Sequence, residues 1–315
     1  MDPCDESRTR RAVLGLLPLA VGGVAGCTSL QLGSDRRGET ASVLAAGSLA
    51  VAFDERIGPG FAETTDYDYR GEFHGSNALL RMVVEGYKQP DVVVSADADL
   101  LRDRLEPAHA TWDVVFASTE VVIVYDPATP AGKRLAEGDP WYEVLRSTDR
   151  AVARSDPEVD PLGYRTVQLF DLAEVYYDEP GLAEDLRGNL IVDPEEAHLL
   201  AAVETGDRAA AIAYKNMAVE RDLPYLSLPA ELDFSDPRQS DRYARASYTT
   251  ADGRTIHGSP ILYAATVPDD ARHPEPGRAF LKFLLDRPEL LRERGLVVSD
   301  GFPRPNGDVP AEVLP

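Results

Sequence analysis

Cysteine is nearly absent from this 315-residue chain, which contains only Cys4 and Cys27. Both lie within the first 27 residues, so the rest of the sequence has no thiol. This distribution excludes a disulfide-stabilised scaffold for the main body of the chain. Its stability must therefore come from an apolar core, for which a hydrophobic content of 43% is sufficient.

Positive charge is also scarce. The chain has 32 basic residues against 54 acidic ones, a net charge of −22, and only four of the basic residues are lysines. Nucleic-acid binding is disfavoured, because phosphates attract the opposite sign. Acidity spread along the whole chain is similar to that of proteins from salt-loving archaea, where ~1 M salt shortens the Debye length to ~3 Å and screens self-repulsion. An acidic protein from a low-salt organism is the alternative that composition leaves open.

Long hydrophobic runs are missing as well. The apolar stretch 12–25 is shorter than the ~20 residues that a membrane-spanning helix needs. It follows the pair Arg10-Arg11 and ends in Val24-Ala25-Gly26-Cys27, which resembles a lipobox. A charged start, a short apolar middle and small residues at the end are typical of a targeting segment, and paired arginines indicate twin-arginine export.

The alternative for this stretch is a buried helix of an intracellular domain, but Gly22, Gly23 and Gly26 are poor residues for a helix core. We therefore predict a twin-arginine signal in residues 1–26, a lipid on Cys27 and a polar tether over residues 27–40. These features predict a protein anchored on the outer face of the cytoplasmic membrane.

From Ser42 onward, short apolar strands alternate with helical patterns, which predicts an α/β fold with a mostly parallel sheet. The predicted strands are 43–46, 67–73, 91–94, 114–125, 209–214 and 259–267. The predicted helices include 49–55, a helix ending at Gly86, 141–145, 166–177, 197–205 and 277–294, the last of which Pro288 divides in two. The long stretch 114–125 is interrupted at 117–120 and is predicted to cross between two parts of the fold.

Four short segments share one design, in which a strand ends, small or polar residues follow and a helix begins. They are Gly47-Ser48, Gly75-Ser76, Asp160-Pro161-Leu162-Gly163 and Pro194-Glu195-Glu196. Helix N-termini present unpaired N–H groups, and ligands of open α/β sheets collect at the carboxyl ends of strands. Together the segments indicate an anion site, although each residue alone could be an ordinary helix cap.

Several further stretches carry a family resemblance in the same order along the chain. They are Ala46–Leu49, Gly75-Ser76, Asp91–Asp97, Asp160–Arg165, Leu172–Tyr177, Leu199–Gly206, Ala213–Ala218 and Phe280–Leu285. Through these stretches, from about residue 43 to residue 305, the chain resembles the archaeal molybdate/tungstate-binding proteins. These are the substrate-binding lipoproteins of ABC transporters.

The resemblance implies a two-lobed, periplasmic-binding-protein-like (type II) fold with a hinge between the lobes. Lobe 1 would comprise residues 41–117 and about 262–315, and lobe 2 about 118–261. It also implies a monomeric receptor with no cofactor and no catalysis, whose partners are an ABC permease and its cytoplasmic ATPase. Its ligand would be molybdate or tungstate, and the sequence does not rank the two.

By the same resemblance, one lobe offers hydroxyl and N–H groups and the other offers carboxylates, a backbone N–H and a phenol. The implied ligand-binding residues are Gly47, Ser48, Ser76, Asp160, Pro161, Leu162, Glu196 and Tyr214. Molybdenum and tungsten in their oxyanions accept extra oxygen ligands, so the carboxylates of Asp160 and Glu196 can approach the metal centre. The same carboxylates would repel sulfate and phosphate, whose central atoms do not expand in this way.

Other interpretations stay open. In these, Asp160 and Glu196 serve only the helix starts, Tyr214 is an ordinary half-buried tyrosine at a strand end, and Arg165 is a structural ion-pair partner. Leu162 stands where many relatives have cysteine, and Asn216-Met217 replaces their Ser-Val; the stretch between Tyr177 and Glu195 also looks shorter. His74 and His198 receive no role.

Three competing functions remain. The chain shows no Gly-x-Ser-x-Gly, no His-Glu-x-x-His and no phosphate-binding loop ending in lysine, which disfavours the common enzyme classes. A carboxylate pair can still bind a metal cation, so a metal-dependent hydrolase is one alternative. A receptor for sulfate or phosphate is the second, and a purely structural surface protein is the third.

Overall fold

Two β-sheets organise residues 39–148, 152–193 and 199–315, which are the residues that a computed structural model describes. The predicted signal, Cys27 and most of the tether lie outside these residues, as do Glu196 and His198. Within the three described ranges, no helix combines the length and apolarity needed to cross a membrane.

The first sheet has six strands in the order β13-β4-β12-β3-β1-β2. Its strands are β1 (Thr40–Ala46), β2 (Asp68–His74), β3 (Val92–Ser95), β4 (Trp112–Ser118), β12 (Leu262–Thr266) and β13 (Arg304–Gly307). A helical stretch follows β1 and consists of a 3₁₀ turn (Gly47–Leu49), α1 (Ala50–Ala52), a π-turn (Phe53–Ile57) and α2 (Gly58–Thr64). The other helices of this part are α3 (Ser76–Val84), α4 (Ala98–Leu105), α12 (Pro274–Leu285) and α13 (Pro288–Arg292). We call this sheet with its helices lobe 1.

The second sheet has five strands in the order β7-β6-β8-β5-β9. They are β5 (Val121–Tyr125), β6 (Val152–Ser155), β7 (Ile191–Asp193), β8 (Ala210–Tyr214) and β9 (Tyr225–Ser227). Its helices are α5 (Pro130–Ala136), α6 (Trp141–Ser147), α7 (Pro161–Tyr177), α8 (Leu182–Asn189), α9 (Ala201–Glu204) and α10 (Lys215–Glu220). We call this sheet with its helices lobe 2.

The chain passes between the lobes twice. Strands β4 and β5 lie in different sheets and are separated only by Thr119 and Glu120, which confirms the predicted crossing in the stretch 114–125. The return path between β9 and β12 includes a 3₁₀ turn (Pro237–Gln239), helix α11 (Ser240–Tyr243) and a hairpin of β10 (Ser247–Thr249) and β11 (Thr255–His257).

The prediction of a mostly parallel sheet is wrong, because each sheet mixes strand directions. Strand β1 runs parallel to β2 and β3, and β6 runs parallel to β7 and β8, but every pairing of β4, β5, β9, β12 and β13 is antiparallel. Parallel neighbours need a crossover connection, usually a helix. The strands that enter or leave a sheet where the chain changes lobe do not have one.

The core of lobe 1 shows how the apolar pattern fixes the helices on the sheet. Phe280 of α12 is fully buried and contacts the rings of Phe53 and Phe61 edge to face, with centroids 5.8 and 5.4 Å apart. Each such buried ring contributes roughly 1.5–3 kcal/mol of transfer free energy. As predicted, the amphipathic segment near the C-terminus divides, since α12 ends at Leu285 and α13 begins at Pro288.

Candidate functional site

Ser48 and Ser76 lie side by side at the carboxyl ends of two neighbouring parallel strands. The register pairs Ala46 of β1 with His74 of β2, and each serine follows its strand end by two residues. Ser48 lies in the 3₁₀ turn and Ser76 begins α3. Both are buried, so lobe 1 presents two hydroxyls from adjacent helix starts, as the sequence predicts.

Ser48 also contacts lobe 2. Its hydroxyl accepts a hydrogen bond from Tyr263 Oη at 3.0 Å, and its carbonyl oxygen accepts one from Asn216 Nδ2 of α10 at 2.7 Å. The other side of the Asn216 amide accepts from Thr119 Oγ1 at 3.2 Å. Asn216 therefore links the first turn of lobe 1 to lobe 2 and to the crossing segment.

Gly75 lies where α3 meets lobe 2. An added Cβ at this position would lie 2.5 Å from the carbonyl oxygen of Val159 and 2.6 Å from Cβ of Asp160. The backbone N–H of Ala78 donates to the same Val159 oxygen at 3.1 Å. Because glycine has no side chain, the start of α3 can approach the residue before α7 this closely.

Asp160 is the N-cap of α7. Its Oδ1 accepts the N–H of Gly163 at 2.9 Å, so its capping role is real. Among the described residues, none gives its buried Oδ2 a hydrogen bond of normal geometry, although the hydroxyl of Ser155 and the N–H of Leu162 lie near the carboxyl. Burial raises the pKa of the Asp160 carboxyl from 3.8 to about 7, against the lowering effect of the Gly163 N–H. Pro161 and Leu162 form the buried first turn behind it.

Tyr214 ends β8 and is fully buried, rather than half-buried as an ordinary strand-end tyrosine would be. Its ring meets that of Tyr263 edge to face, with centroids 6.4 Å apart. Since Tyr263 also bonds Ser48, the lobe 2 tyrosine lies beside the lobe 1 serine.

The structure thus brings the predicted residues together in two neighbouring groups between the lobes. Gly75, which precedes Ser76, lies against Asp160, and Ser48 and Tyr214 both contact Tyr263. Arg165 is the structural ion-pair partner that one interpretation expects, since its Nη2 donates to Asp97 Oδ2 at 2.8 Å. His74 pairs with Glu72 at 2.8 Å. Within the described ranges, no three His, Cys, Asp or Glu side chains come together as a metal site would require.

Two residues of this region were missed from the sequence. Tyr263 lies in the middle of a predicted strand, where nothing distinguishes it from a core residue. Asn216 lies in the first turn of α10, two residues after the end of β8, and the sequence gives no sign that its amide is buried. The roles of both residues become visible only through their contacts with Ser48.

Comparison with known proteins finds relatives among the solute-binding proteins. A protein of Halobacterium salinarum, described as an uncharacterized solute-binding protein, is 46% identical over 303 residues, which are 96% of each chain. The molybdate/tungstate-binding protein WtpA of Pyrococcus abyssi is 32% identical over 282 residues, covering 79% of this chain and 81% of the relative.

The fold has solved counterparts. The periplasmic molybdate-binding protein of Azotobacter vinelandii superposes with a TM-score of 0.60 at 14% identity, over 84% of this chain and all of the other. At that identity the likeness concerns the fold alone. The family model of the bacterial extracellular solute-binding proteins matches residues 41–295. The chain therefore belongs to the family of bacterial extracellular solute-binding proteins.

Proposed function

We propose that this protein is the solute receptor of an ABC importer and that it binds one tetrahedral oxyanion, molybdate or tungstate, between its lobes. The observation that carries the proposal is the buried Oδ2 of Asp160, which accepts no hydrogen bond of normal geometry from the described residues and lies across the interface from the start of α3. A buried polar atom without a partner is costly unless a ligand completes it.

The chemistry of the surrounding groups favours these two anions. Hydroxyls and N–H groups of Ser48 and Ser76, the N–H of Leu162 and the phenol of Tyr214 would hold the four oxo groups as neutral dipoles. Above pH 7 the ionised carboxylate of Asp160 would approach the metal centre, together with Glu196. Sulfate and phosphate offer no such coordination, so the carboxylates would repel them.

The proposed working cycle is a hinge motion. Lobe 1, residues 41–117 with about 262–315, and lobe 2, about 118–261, would open at the two crossings and close on the anion. The closed form would be presented to the permease, and the cytoplasmic ATPase would power uptake. The receptor itself would act as a monomer, without a cofactor and without catalysis.

The location follows from the N-terminal segment. Twin-arginine export would deliver the folded protein, and the lipid on Cys27 would hold it at the membrane through the tether 27–40. A net charge of −22 fits work in concentrated salt, where the repulsion between acidic side chains is screened. A tethered receptor stays near its transporter instead of diffusing away.

Titration calorimetry in concentrated KCl tests the proposal directly. The purified protein is titrated separately with molybdate, tungstate, sulfate and phosphate at pH 8. We expect heat of binding with the first two anions and none with the others. Tight sulfate binding without a molybdate or tungstate signal would refute the proposal, and hydrolysis of a phosphate ester with added metal would favour an enzyme.

A further inference from the structure

Besides the residues proposed to contact the anion, the two lobes share a buried cluster around Asp97, the N-cap of α4. Its Oδ2 accepts two hydrogen bonds from α7 in lobe 2, from Tyr164 Oη at 2.7 Å and from Arg165 Nη2 at 2.8 Å. Arg165 is 1% exposed and the Asp97 side chain 5% exposed. Arg165 Nη1 also donates to the carbonyl of Ser259, on the return path between the lobes, at 2.6 Å.

The same short segment of lobe 1 also holds Ser76. The N–H of Ala96 donates to Ser76 Oγ at 3.0 Å, and Ser95 and Asp97 exchange two hydrogen bonds that stiffen the turn. Residues 95–97 therefore contact the proposed ligand serine of lobe 1 on one side and α7 of lobe 2 on the other.

Helix α7 carries the connection on to Asp160. Asp160 and Tyr164 are four residues apart, so they lie on one face of the helix, about 6 Å apart along its axis. On that face Asp160 meets Gly75, while Tyr164 meets Asp97. A shift of α7 relative to residues 95–97 would change the separation of Ser76 and Asp160.

We propose that Asp97 is a positioning residue for the oxyanion site: through Tyr164 and Arg165 it holds α7 against lobe 1 and so sets the separation of Ser76 and Asp160. It does so without touching the ligand. This inference rests on the proposed function for its effect on ligand release, but the bridge between the lobes can be measured without any ligand.

Asp97→Asn tests the bridge between the lobes, which is the contact of Asp97 with Tyr164 and Arg165. Asp113→Asn is the matched control. Asparagine keeps the N-cap of α4 but loses the charge that Arg165 faces. Asp113 is equally buried and accepts from Arg102 Nε and Nη2 at 2.8 and 3.0 Å, but this pair lies wholly within lobe 1. Both variants lose an ion pair of a buried aspartate, although Arg102 is 31% exposed and Arg165 only 1% exposed, and only Asp97→Asn loses a contact between lobes.

Two measurements are made on the full chain in concentrated KCl. The first is the dissociation rate of tungstate by stopped flow. The second is the distance between two spin labels, attached at Tyr87→Cys and Val175→Cys and measured without ligand by pulsed electron paramagnetic resonance. Cys4 and Cys27 are replaced by serine so that only these two sites are labelled. Tyr87 is 75% and Val175 73% exposed, and they lie in lobe 1 and on α7 respectively.

We expect Asp97→Asn to release tungstate about tenfold faster, since losing one partner of a buried charge pair acts mainly on dissociation. The label distances should shift to longer values. Asp113→Asn should match the parent protein in both measurements, even if it unfolds at a lower temperature. A label distance unchanged by Asp97→Asn would overturn the proposal and leave Asp97 a purely structural residue.

The outcomes separate the two proposals. If the parent protein binds none of the anions, the proposed function fails, and the label distances still decide whether Asp97 bridges the lobes. If Asp97→Asn does not fold, Tyr164→Phe removes only the phenol donor and keeps the ion pair. It should speed release about threefold, which is at the low end of the effect of losing one hydrogen bond, and an unchanged rate and distance would count against the bridge.

Discussion

Helices α4 and α7 are capped in the same way, but the two capping aspartates differ in their hydrogen-bond partners. Each is capped by a buried aspartate whose Oδ1 accepts the N–H three residues later, from Leu100 at 3.0 Å and from Gly163 at 2.9 Å. The second oxygen of Asp97 has a phenol and a guanidinium. The second oxygen of Asp160 accepts no hydrogen bond of normal geometry from the described residues, and burial raises the pKa of this carboxyl to about 7.

This difference in partners distinguishes a structural carboxylate from one that is available to bind a ligand. A buried charge that is fully paired fixes the position of its neighbours. A buried carboxyl with an unpaired oxygen stays energetically unfavourable until something completes it. Both aspartates cap helices at the interface between lobes, and they differ in the groups that distant parts of the chain bring to the second carboxylate oxygen.

The largest expected effect comes from removing the charged partner of Asp97, so that this aspartate, like Asp160, lacks a guanidinium. Arg165→Met removes the guanidinium and leaves Asp97 with Tyr164 alone. We expect the free energy of unfolding to fall by about 3–5 kcal/mol, because an uncompensated charge then stays buried. Urea unfolding at pH 8 measures this loss. Arg102→Met is the control, and it should lower the free energy of unfolding less, because the Arg102 side chain is 31% exposed. If Arg165→Met lowered the free energy of unfolding by less than about 1 kcal/mol, the comparison would be contradicted.

The next effect removes the charge of Asp160 while keeping its cap. Asp160→Asn should weaken tungstate binding about 100-fold, the equivalent of the ~3 kcal/mol that a bond to a charged group can supply. Its stability at pH 8 should not fall, since asparagine caps helices well and no charge stays buried. Calorimetric titration and urea unfolding check the two parts. Unchanged affinity would remove Asp160 from the site.

A smaller effect should follow from separating the two helix starts. Gly75→Ala places a methyl group 2.5 Å from the oxygen of Val159, so the lobes must move apart by a few tenths of an ångström. We expect about tenfold weaker tungstate binding, since small misplacements of a preorganised site are costly. Gly188→Ala is the control, because nothing lies within 4 Å of an added Cβ there. Equal affinity in both variants would refute the close-contact argument.

The smallest effect concerns pH. Asp160 has a pKa of about 7 in the folded protein against 3.8 ordinarily, so the native state holds its proton more tightly. Its contribution to stability is therefore fully present below pH 3.8 and is lost as pH rises through about 7. Between pH 6 and 8 the parent protein should lose about 1 kcal/mol that Asp160→Asn does not lose.

The test must use the difference in unfolding free energy between the parent protein and Asp160→Asn. Burial also raises the pKa of Glu220, from 4.5 to about 8, so that residue destabilises both proteins over the same range. Urea unfolding of each protein at several pH values isolates the Asp160 part. Parallel pH profiles for parent and variant would show that Asp160 is ionised throughout.

Much of the fold was predictable because it depends on local patterns. Apolar runs of four to seven residues predicted β1, β3 and β8 nearly at their observed bounds, and the proline at 288 predicted the division of the last helix. Strand direction was not predictable from these patterns. It depends on which strands become neighbours after the chain has changed lobe, and no local signal records that.

The candidate site was likewise predictable only where it depends on local sequence. Serine or aspartate between a strand and a helix is a local signal, and it led to Ser48, Ser76 and Asp160 correctly as helix-start residues. The close approach of Gly75 to Val159, the bonds of Asn216 and Tyr263 to Ser48, and the pairing of Asp97 with Arg165 all join residues more than 60 positions apart. Such contacts follow from the packing of distant segments, within lobe 1 for Tyr263 with Ser48 and between the lobes for the others.

The sequence by itself determined the acidic surface, the near absence of thiols, the α/β class and the helix starts that carry hydroxyl and carboxyl groups, because each depends on composition or on neighbouring residues. Only the tertiary structure decided which of two similar helix-capping aspartates is completed by protein partners and which keeps a buried oxygen unpaired. The reason is physical: the desolvation of a carboxyl and its pairing depend on groups that distant parts of the chain bring to it.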